Sequence, residues 1–226
     1  MSAPRPVAAI IGDVVGSKRA ADRRALHRRV SAALEQINRG VPGVGPAGPA
    51  VPVTPLWITA GDEYQGAFAT VGAALSASFR LRLALLPDVD VRHGLGWGPV
   101  SVLSDEPRVE DGPGWWMARA AIEEVETAES KAAWRSLRTA YRRADGVEGP
   151  EEGAVNAALV ARDQLVSGAG AGSLSVLAGM LAGMSQKEIA ADLGISASAV
   201  SQRIRRDGLA ALLRVDGLLR TVGSEA

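Results

Sequence analysis

The sequence predicts an α+β chain in two parts: an antiparallel sheet with its helices on one face, followed by an all-α segment. Three observations carry this reading. Over the first 150 residues, short apolar runs of strand length and helical periodicities follow one another in the order β-α-β-β-α-β. Glycine and proline clusters punctuate them. Beyond residue 172 the apolar residues fall at helical spacing.

Residues 7–11, Val-Ala-Ala-Ile-Ile, form a continuous apolar run that suits a buried strand. Leu26, Val30, Leu34 and Ile37 then recur on one helical face, so 22–38 is read as an amphipathic helix. Four glycines and five prolines between Gly40 and Pro55 exclude a helix or a central strand and predict a mobile or polyproline-like loop. Residues 56–59 and 64–69 read as two strands joined by a Gly61-Asp62-Glu63 turn. Thr70 is placed to cap a helix carrying Leu75, Phe79, Leu83 and Leu86, which Pro87 closes. Two further strands follow at 89–97 and 99–103, then a helix from Trp116 to about Lys131 with Met117, Ala121 and Val125 in line. Residues 136–143 stay open between strand and helix. The order matches the split βαβ, ferredoxin-like pattern, in which helices cover one face of an antiparallel sheet. A helix is expected near 153–166, and the six small residues at 167–172 predict a flexible joint. The chain therefore divides into 1–150, a connector helix and linker at 151–172, and a helical domain at 173–226.

Composition removes several function classes. The chain of 226 residues has no cysteine, which excludes disulfides, thiolate zinc and thiol catalysis. Two histidines, His27 and His93, argue against a histidine-rich metal site or a histidine-based triad. Twenty-five basic and 25 acidic residues cancel, so no global field announces a partner. No apolar run approaches the ~20 residues that span a bilayer, and no basic-then-apolar leader opens the sequence, so a cytoplasmic protein without a membrane partner is expected.

The helical segment carries the most specific spacing. Ser185-Gln-Lys-Glu188 is a capping box, Ile189 and Leu193 give its helix an apolar face, and Ala190 leaves room for a crossing helix. Gly194 permits a tight turn, Ile195 plugs the corner, Ser196 caps the next helix, and Val200 and Ile204 point that helix inward. Together these residues resemble the helix-turn-helix of bacterial transcription regulators, which implies double-stranded DNA as partner. The helix beginning at Ser196 would then enter the major groove. Ala197, Ser198, Ser201, Gln202 and Arg205 would face base edges, while Lys187, Arg203 and Arg206 would meet phosphates. The leucines after Gly208, Leu212 and Leu219 among them, form either ordinary core or a dimerisation stripe.

In the first half, Ile10-Ile-Gly-Asp13-Val-Val-Gly16-Ser17 places an acid at the end of a strand before a glycine turn, and Ala60-Gly-Asp62-Glu63-Tyr64 places an acidic pair on a hairpin. In a split βαβ sheet these elements adjoin, so Asp13 and Asp62 converge, with Gly16, Ser17 and Glu63 beside them. Two carboxylates on a sheet edge suit Mg²⁺ bridging to nucleotide phosphates. This arrangement resembles class III nucleotide cyclases, and the hairpin turn is similar to that of diguanylate cyclases. Val91-Arg-His-Gly-Leu-Gly-Trp-Gly-Pro-Val100 is similar to the cyclase strand that leads through a glycine into a second strand. The resemblance implies a nucleotide-cyclase-like fold, with Mg²⁺ and a nucleotide as candidate ligands. It also implies an Asn and, four residues later, an Arg on the following helix. The matching stretch, Gly114-Trp-Trp-Met-Ala-Arg-Ala-Ala121, has no Asn, and its Arg119 is out of spacing. No catalytic residue is therefore assigned, and binding without turnover is expected.

The whole chain resembles the SatD family through Ile-Ile-Gly-Asp-Val-Val-Gly-Ser, the turn from Ala60 to Gly66 and the Trp115-Trp116 helix. The reading is a DNA-binding transcriptional regulator whose cyclase-like domain binds a nucleotide or second messenger, pairs two copies, or does both. The alternative is an active divergent cyclase or nucleotidyl transferase using Asp13 and Asp62. A homodimer is expected, with Trp115, Trp116, Leu212 or Leu219 at the contact.

Overall fold

The computed structural model describes residues 5–42, 49–106 and 108–223. Its strands are β1 (Pro6–Val14), β2 (Thr54–Ala60), β3 (Glu63–Phe68), β4 (Val91–Pro99), β5 (Ser101–Asp105), β6 (Arg108–Asp111) and β7 (Thr139–Arg143). Its helices are α1 (Arg23–Asn38), α2 (Val71–Leu85), α3 (Pro113–Glu129), α4 (Glu152–Gly168), α5 (Ala171–Leu181), α6 (Gln186–Asp192), α7 (Ala197–Arg206) and α8 (Leu209–Leu219). The ends form where short-range chemistry requires them. Asp22 accepts from the Ala25 amide to start α1, and Thr70 accepts from Ala73 to start α2. Part of the glycine–proline loop, residues 43–48, lies outside the described residues; its flanks close through a Val41–Ala50 bridge.

Five strands form one sheet in the order β2-β3-β1-β4-β7. All neighbours are antiparallel except β4 and β7, which run parallel because α3 makes a crossover between them. The segment 136–143 supplies that edge strand: Tyr141 turns into the main core, while Ala140 turns toward Ala121 and Val125 of α3. The strand expected at 99–103 corresponds to β5, which pairs with β6 in a hairpin that stands outside the sheet and exposes Val102, Leu103 and Val109.

The sheet is covered on both faces, which corrects the expected one-sided arrangement. Ala8 and Ile10 of β1 meet Val30, Leu34, Leu75 and Leu81 of α1 and α2. Ala9 and Ile11 meet Trp115, Ala118 and Ile122 of α3 on the other side. The cause lies in the alternating glycines of β4. A Cβ on Gly94 would strike the α3 backbone at Ala118 and Ile122, and one on Gly96 would strike Gly114 and Ala118. Only glycine lets a helix lie this close to a strand.

The small-residue segment at 167–172 is helical on both sides and breaks only at 169–170, between α4 and α5. Helices α5 to α8 share an apolar cluster with Phe79 and Leu83 of α2, and the amide of Gly72 donates to the Val222 carbonyl at 3.0 Å. Burial also decides the residues expected at a subunit contact. Trp115 (7% exposed), Leu212 (0%) and Leu219 (6%) are core. Of the four, Trp116 alone stands out, its indole donating to Asp111. Among the described residues no helix is long and apolar enough to cross a membrane.

Candidate functional site

β1 and β4 pair so that Asp13 lies opposite Arg92. The guanidinium grips the carboxylate with both arms, Nε to Oδ1 at 2.8 Å and Nη2 to Oδ2 at 2.6 Å. Arg92 also reaches Glu126 and Glu129 of α3, each at 3.0 Å. Burial works against its charge, yet the bond to Asp13 and the three surrounding carboxylates outweigh burial and raise its pKa. On the neighbouring hairpin, Gly61 turns the chain at φ +63° and presents Asp62 and Glu63 to the same edge. Glu63 is clamped by Arg119 through two bonds of 2.8 Å, whereas Asp62 makes no hydrogen bond or ion pair among the described residues. The bond from Glu63 heads the causes that raise the Arg119 pKa.

Asp13, Asp62 and Glu63 line one cavity of about 600 Å³, together with Gly16, Ser17 and three basic residues that the sequence reading passed over: Lys18, Arg19 and Arg92. The acidic pair therefore converges as expected, and Gly16 (φ +69°) turns the chain into the Ser17–Arg19 3-10 turn at the rim. The signal for the missed cations was present, since Lys18 and Arg19 directly follow the Gly16-Ser17 turn. Arg92 could be placed opposite Asp13 only once the strand register was known. His93, beside it, is not part of the cavity. It is buried, its Nε2 lies 2.8 Å from the Tyr64 hydroxyl, and burial followed by the charges of Arg162 and Arg82 lowers its pKa to about 3.

Asp13 is not presented as a free ligand for the expected Mg²⁺. Both oxygens of Asp13 are taken by Arg92. Among the described residues no three carboxylate or imidazole groups gather to hold a metal. A guanidinium already neutralises the carboxylate where a cation would sit. Four carboxylates, those of Asp13, Asp62, Glu63 and Glu126, line the cavity against three cations, of which Lys18 and Arg19 are exposed at the rim and in no ion pair among the described residues.

The family model described as the SatD family matches residues 7–220. The chain belongs to the SatD family. No curated protein matches it. Among solved structures, it is similar to the catalytic core of a rhodopsin-guanylyl cyclase with converted specificity in complex with ATPαS, at 14% identity and a TM-score of 0.40 over 53% of this chain and 72% of that one. It is also similar to the monomeric guanylyl cyclase domain of the RhoGC fusion protein from the aquatic fungus Blastocladiella emersonii, at 16% identity and a TM-score of 0.37 over 53% and 75%. A bacterial light-regulated adenylyl cyclase matches at 15% identity and a TM-score of 0.40, over 62% of this chain and 44% of that protein. At these identities and TM-scores the likeness says nothing of what this chain does.

The second set of candidate residues in the SatD-family chain lies on α6 and α7. The capping box forms with both arms: Ser185 Oγ accepts from the Glu188 amide and Glu188 accepts from the Ser185 amide. Gly194 turns at φ +63°, and Ser196 caps α7 by accepting from Ala199. Val200 is buried, while Lys187, Ser196, Ala197, Ser198, Gln202 and Arg205 are exposed; Ser201 is half-buried and accepts from Arg205 at 2.9 Å. Two arginines differ from expectation. Arg203 turns inward and donates to the Gly172 carbonyl at 3.1 Å, which ties α7 to α5 rather than offering its charge outward. Arg206 is exposed but pairs with Asp207 at 2.7 Å. The bond from Arg206, then one from Ser173, hold Asp207 down at about 2.

Proposed function

We propose that this SatD-family protein is a DNA-binding transcriptional regulator, and that its sheet half binds a nucleotide or second messenger without converting it. The observation that carries the reading is the face of α7. Ser198, Gln202 and Arg205 recur at spacings of four and three, so they share one exposed stripe, while Val200 on the opposite side is buried against the α5–α8 cluster. A helix that hides one face and displays hydrogen-bonding side chains on the other suits insertion into the major groove, with Gln reading adenine and Arg reading guanine. Lys187 on α6 supplies an exposed charge for phosphate.

The sheet-edge cavity supports the ligand half of the reading. Lys18 and Arg19 would meet phosphate oxygens, and Gly16 and Ser17 would let the backbone approach them. Binding without turnover fits the sequence of α3, which has no Asn in the matching stretch and whose Arg119 is out of spacing and already held by Glu63. A second copy of the chain remains the partner we propose for reading a two-fold operator, with Trp116 as the exposed aromatic at the contact.

The test is fluorescence anisotropy of the full chain against genomic duplex fragments over a salt series. Affinity should fall steeply with salt because phosphate contacts release counterions. Gln202→Ala should relax sequence preference while leaving non-specific binding intact. Absence of any duplex binding at low salt, with and without nucleoside triphosphates, overturns the DNA reading. Formation of a cyclic product from a nucleoside triphosphate, lost in Asp13→Asn, overturns binding without turnover.

A further inference from the structure

A second polar cavity, of about 630 Å³, opens where the sheet half meets the C-terminal helices. It shares no residue with the Asp13 cavity. Three guanidiniums line it, those of Arg82, Arg135 and Arg138, against one carboxylate, Asp90. Arg82 and Arg138 both grip Asp90, each through a bond of 2.7 Å, and their remaining donors are held from behind by Asp163 at 3.1 Å and Glu129 at 3.2 Å. These two arginines are thus fixed in place, and together they already hold one anionic group. Burial disfavours the Asp90 charge, yet the two guanidiniums outweigh it and keep the carboxyl below its usual range. Arg135 is different: its guanidinium is exposed and makes no hydrogen bond or ion pair among the described residues. Ser136 and Ser167 add hydroxyls to the same wall.

We infer that this cavity is a binding site for a small phosphorylated anion, with Arg135 as its uncommitted clamp and the fixed pair Arg82 and Arg138 as its floor. Guanidinium forks match phosphate oxygens in charge and geometry. Asp90, Asp163 and Glu129 answer Arg82 and Arg138, so the unspent positive charge of the wall is that of Arg135, and the volume admits a ligand of mononucleotide size.

The cavity is also placed to act on α7. Its far wall is the start of α5, at Ala171 and Leu174. Between those residues the Gly172 carbonyl holds Arg203 of α7, and Ser173 Oγ lies 3.4 Å from Arg206 of α7. A ligand that draws Arg135 across the cavity mouth presses on the turn to which α7 is tied. This regulatory consequence rests on the proposed DNA reading; the binding itself does not.

Isothermal titration of the full chain with pyrophosphate, without divalent metal, tests the binding directly. Loss of one charge-assisted contact in Arg135→Ala should weaken the affinity by about tenfold. The double change Lys18→Ala, Arg19→Ala removes the phosphate contacts proposed for the sheet-edge cavity, so binding that persists in that variant and is weakened by adding Arg135→Ala belongs to this second cavity. Both sets of side chains are exposed, so far-ultraviolet circular dichroism should match the parent. A parallel titration with ATP separates the sources: tighter binding than pyrophosphate that is equally sensitive to Arg135→Ala identifies a nucleotide ligand, and equal affinity identifies phosphate recognition alone. Absence of pyrophosphate binding at millimolar concentration, or binding lost in the Lys18/Arg19 variant and kept in Arg135→Ala, overturns the site. If binding stands and saturating pyrophosphate leaves duplex affinity unchanged while DNA is bound, only the regulatory link is overturned.

Discussion

The sheet edge around Asp13 and the surface of α7 both carry polar and charged side chains at the solvent, yet they are built in opposite ways. At the sheet edge the charges answer one another. Arg92 holds Asp13, Glu126 and Glu129, and Arg119 holds Glu63. The pairing continues inward: Glu129 meets Arg138, Arg138 and Arg82 meet Asp90, and Arg82 meets the buried Asp163. On α7, Gln202 makes no hydrogen bond among the described residues and Arg205 reaches only Ser201. A ligand at Arg92 or Arg119 must compete with partners already in place, whereas one at Lys18, Arg19 or the exposed face of α7 displaces only water. Groups satisfied inside the chain serve the fold first; groups displayed without partners are left for recognition.

The strongest way to break this contrast is at the inner end of the ion-pair chain. Arg82, Arg162 and Asp163 are almost fully buried, so Asp163→Ala takes one of two carboxylates from Arg82 and the one ion pair of Arg162 among the described residues, and should cost ~3–5 kcal/mol, seen as a large drop in Tm. A second test compares the two acids of the cavity. Asp13→Asn loses a two-armed, partly buried partner of Arg92 and should cost ~1.5–3 kcal/mol in urea unfolding. Asp62→Asn, with no partner to lose, should change stability by less than ~0.5 kcal/mol. Equal effects would mean that the carboxylates repel each other rather than that Arg92 secures one of them.

On α7 the order reverses: little stability, much specificity. Gln202→Ala and Arg205→Ala should each lose ~1–3 kcal/mol of discrimination at one base position, with Tm unchanged. A further test is a pH dependence confined to the sheet half. His93 is held neutral in the folded chain, with its pKa lowered to about 3, while in the unfolded chain it titrates near ~6.5. Between those values the unfolded chain binds the proton and the folded one does not. Its contribution is therefore whole above pH ~6.5 and falls as the pH drops toward 3, with a slope of at most ~1.4 kcal/mol per pH unit. His93→Gln should flatten that slope in chemical denaturation, and Arg205→Ala should not.

Much of this was legible in the sequence, and the legible part is local. The caps at Thr70 and Ser196, the Ser185–Glu188 box and the turn at Gly194 all stand where the residue pattern placed them. The caps and the box depend on a side chain bonding a backbone group three residues away and the turn on the φ of a single glycine, so a short window contains the whole interaction. The convergence of Asp13 and Asp62 was legible too, because the order of strands and helices limits which sheet neighbours are available.

The partners were not legible. Arg92 lies 79 residues from Asp13 and Arg119 lies 56 from Glu63, and nothing near either acid names its cation. Whether Leu212 and Leu219 pack inward or meet another subunit was equally open, since a leucine stripe reads the same in both cases. Local hydrogen bonding is decided within one turn of chain, and composition and periodicity record it. Pairing across strands, the face that α3 covers and the inward turn of Arg203 follow from register and packing summed over the whole molecule. A shift of one residue in β4 would carry Arg92 away from Asp13 to the opposite face of the sheet. Sequence alone determined which groups could form a site; tertiary structure decided which of them remain unpaired to do so.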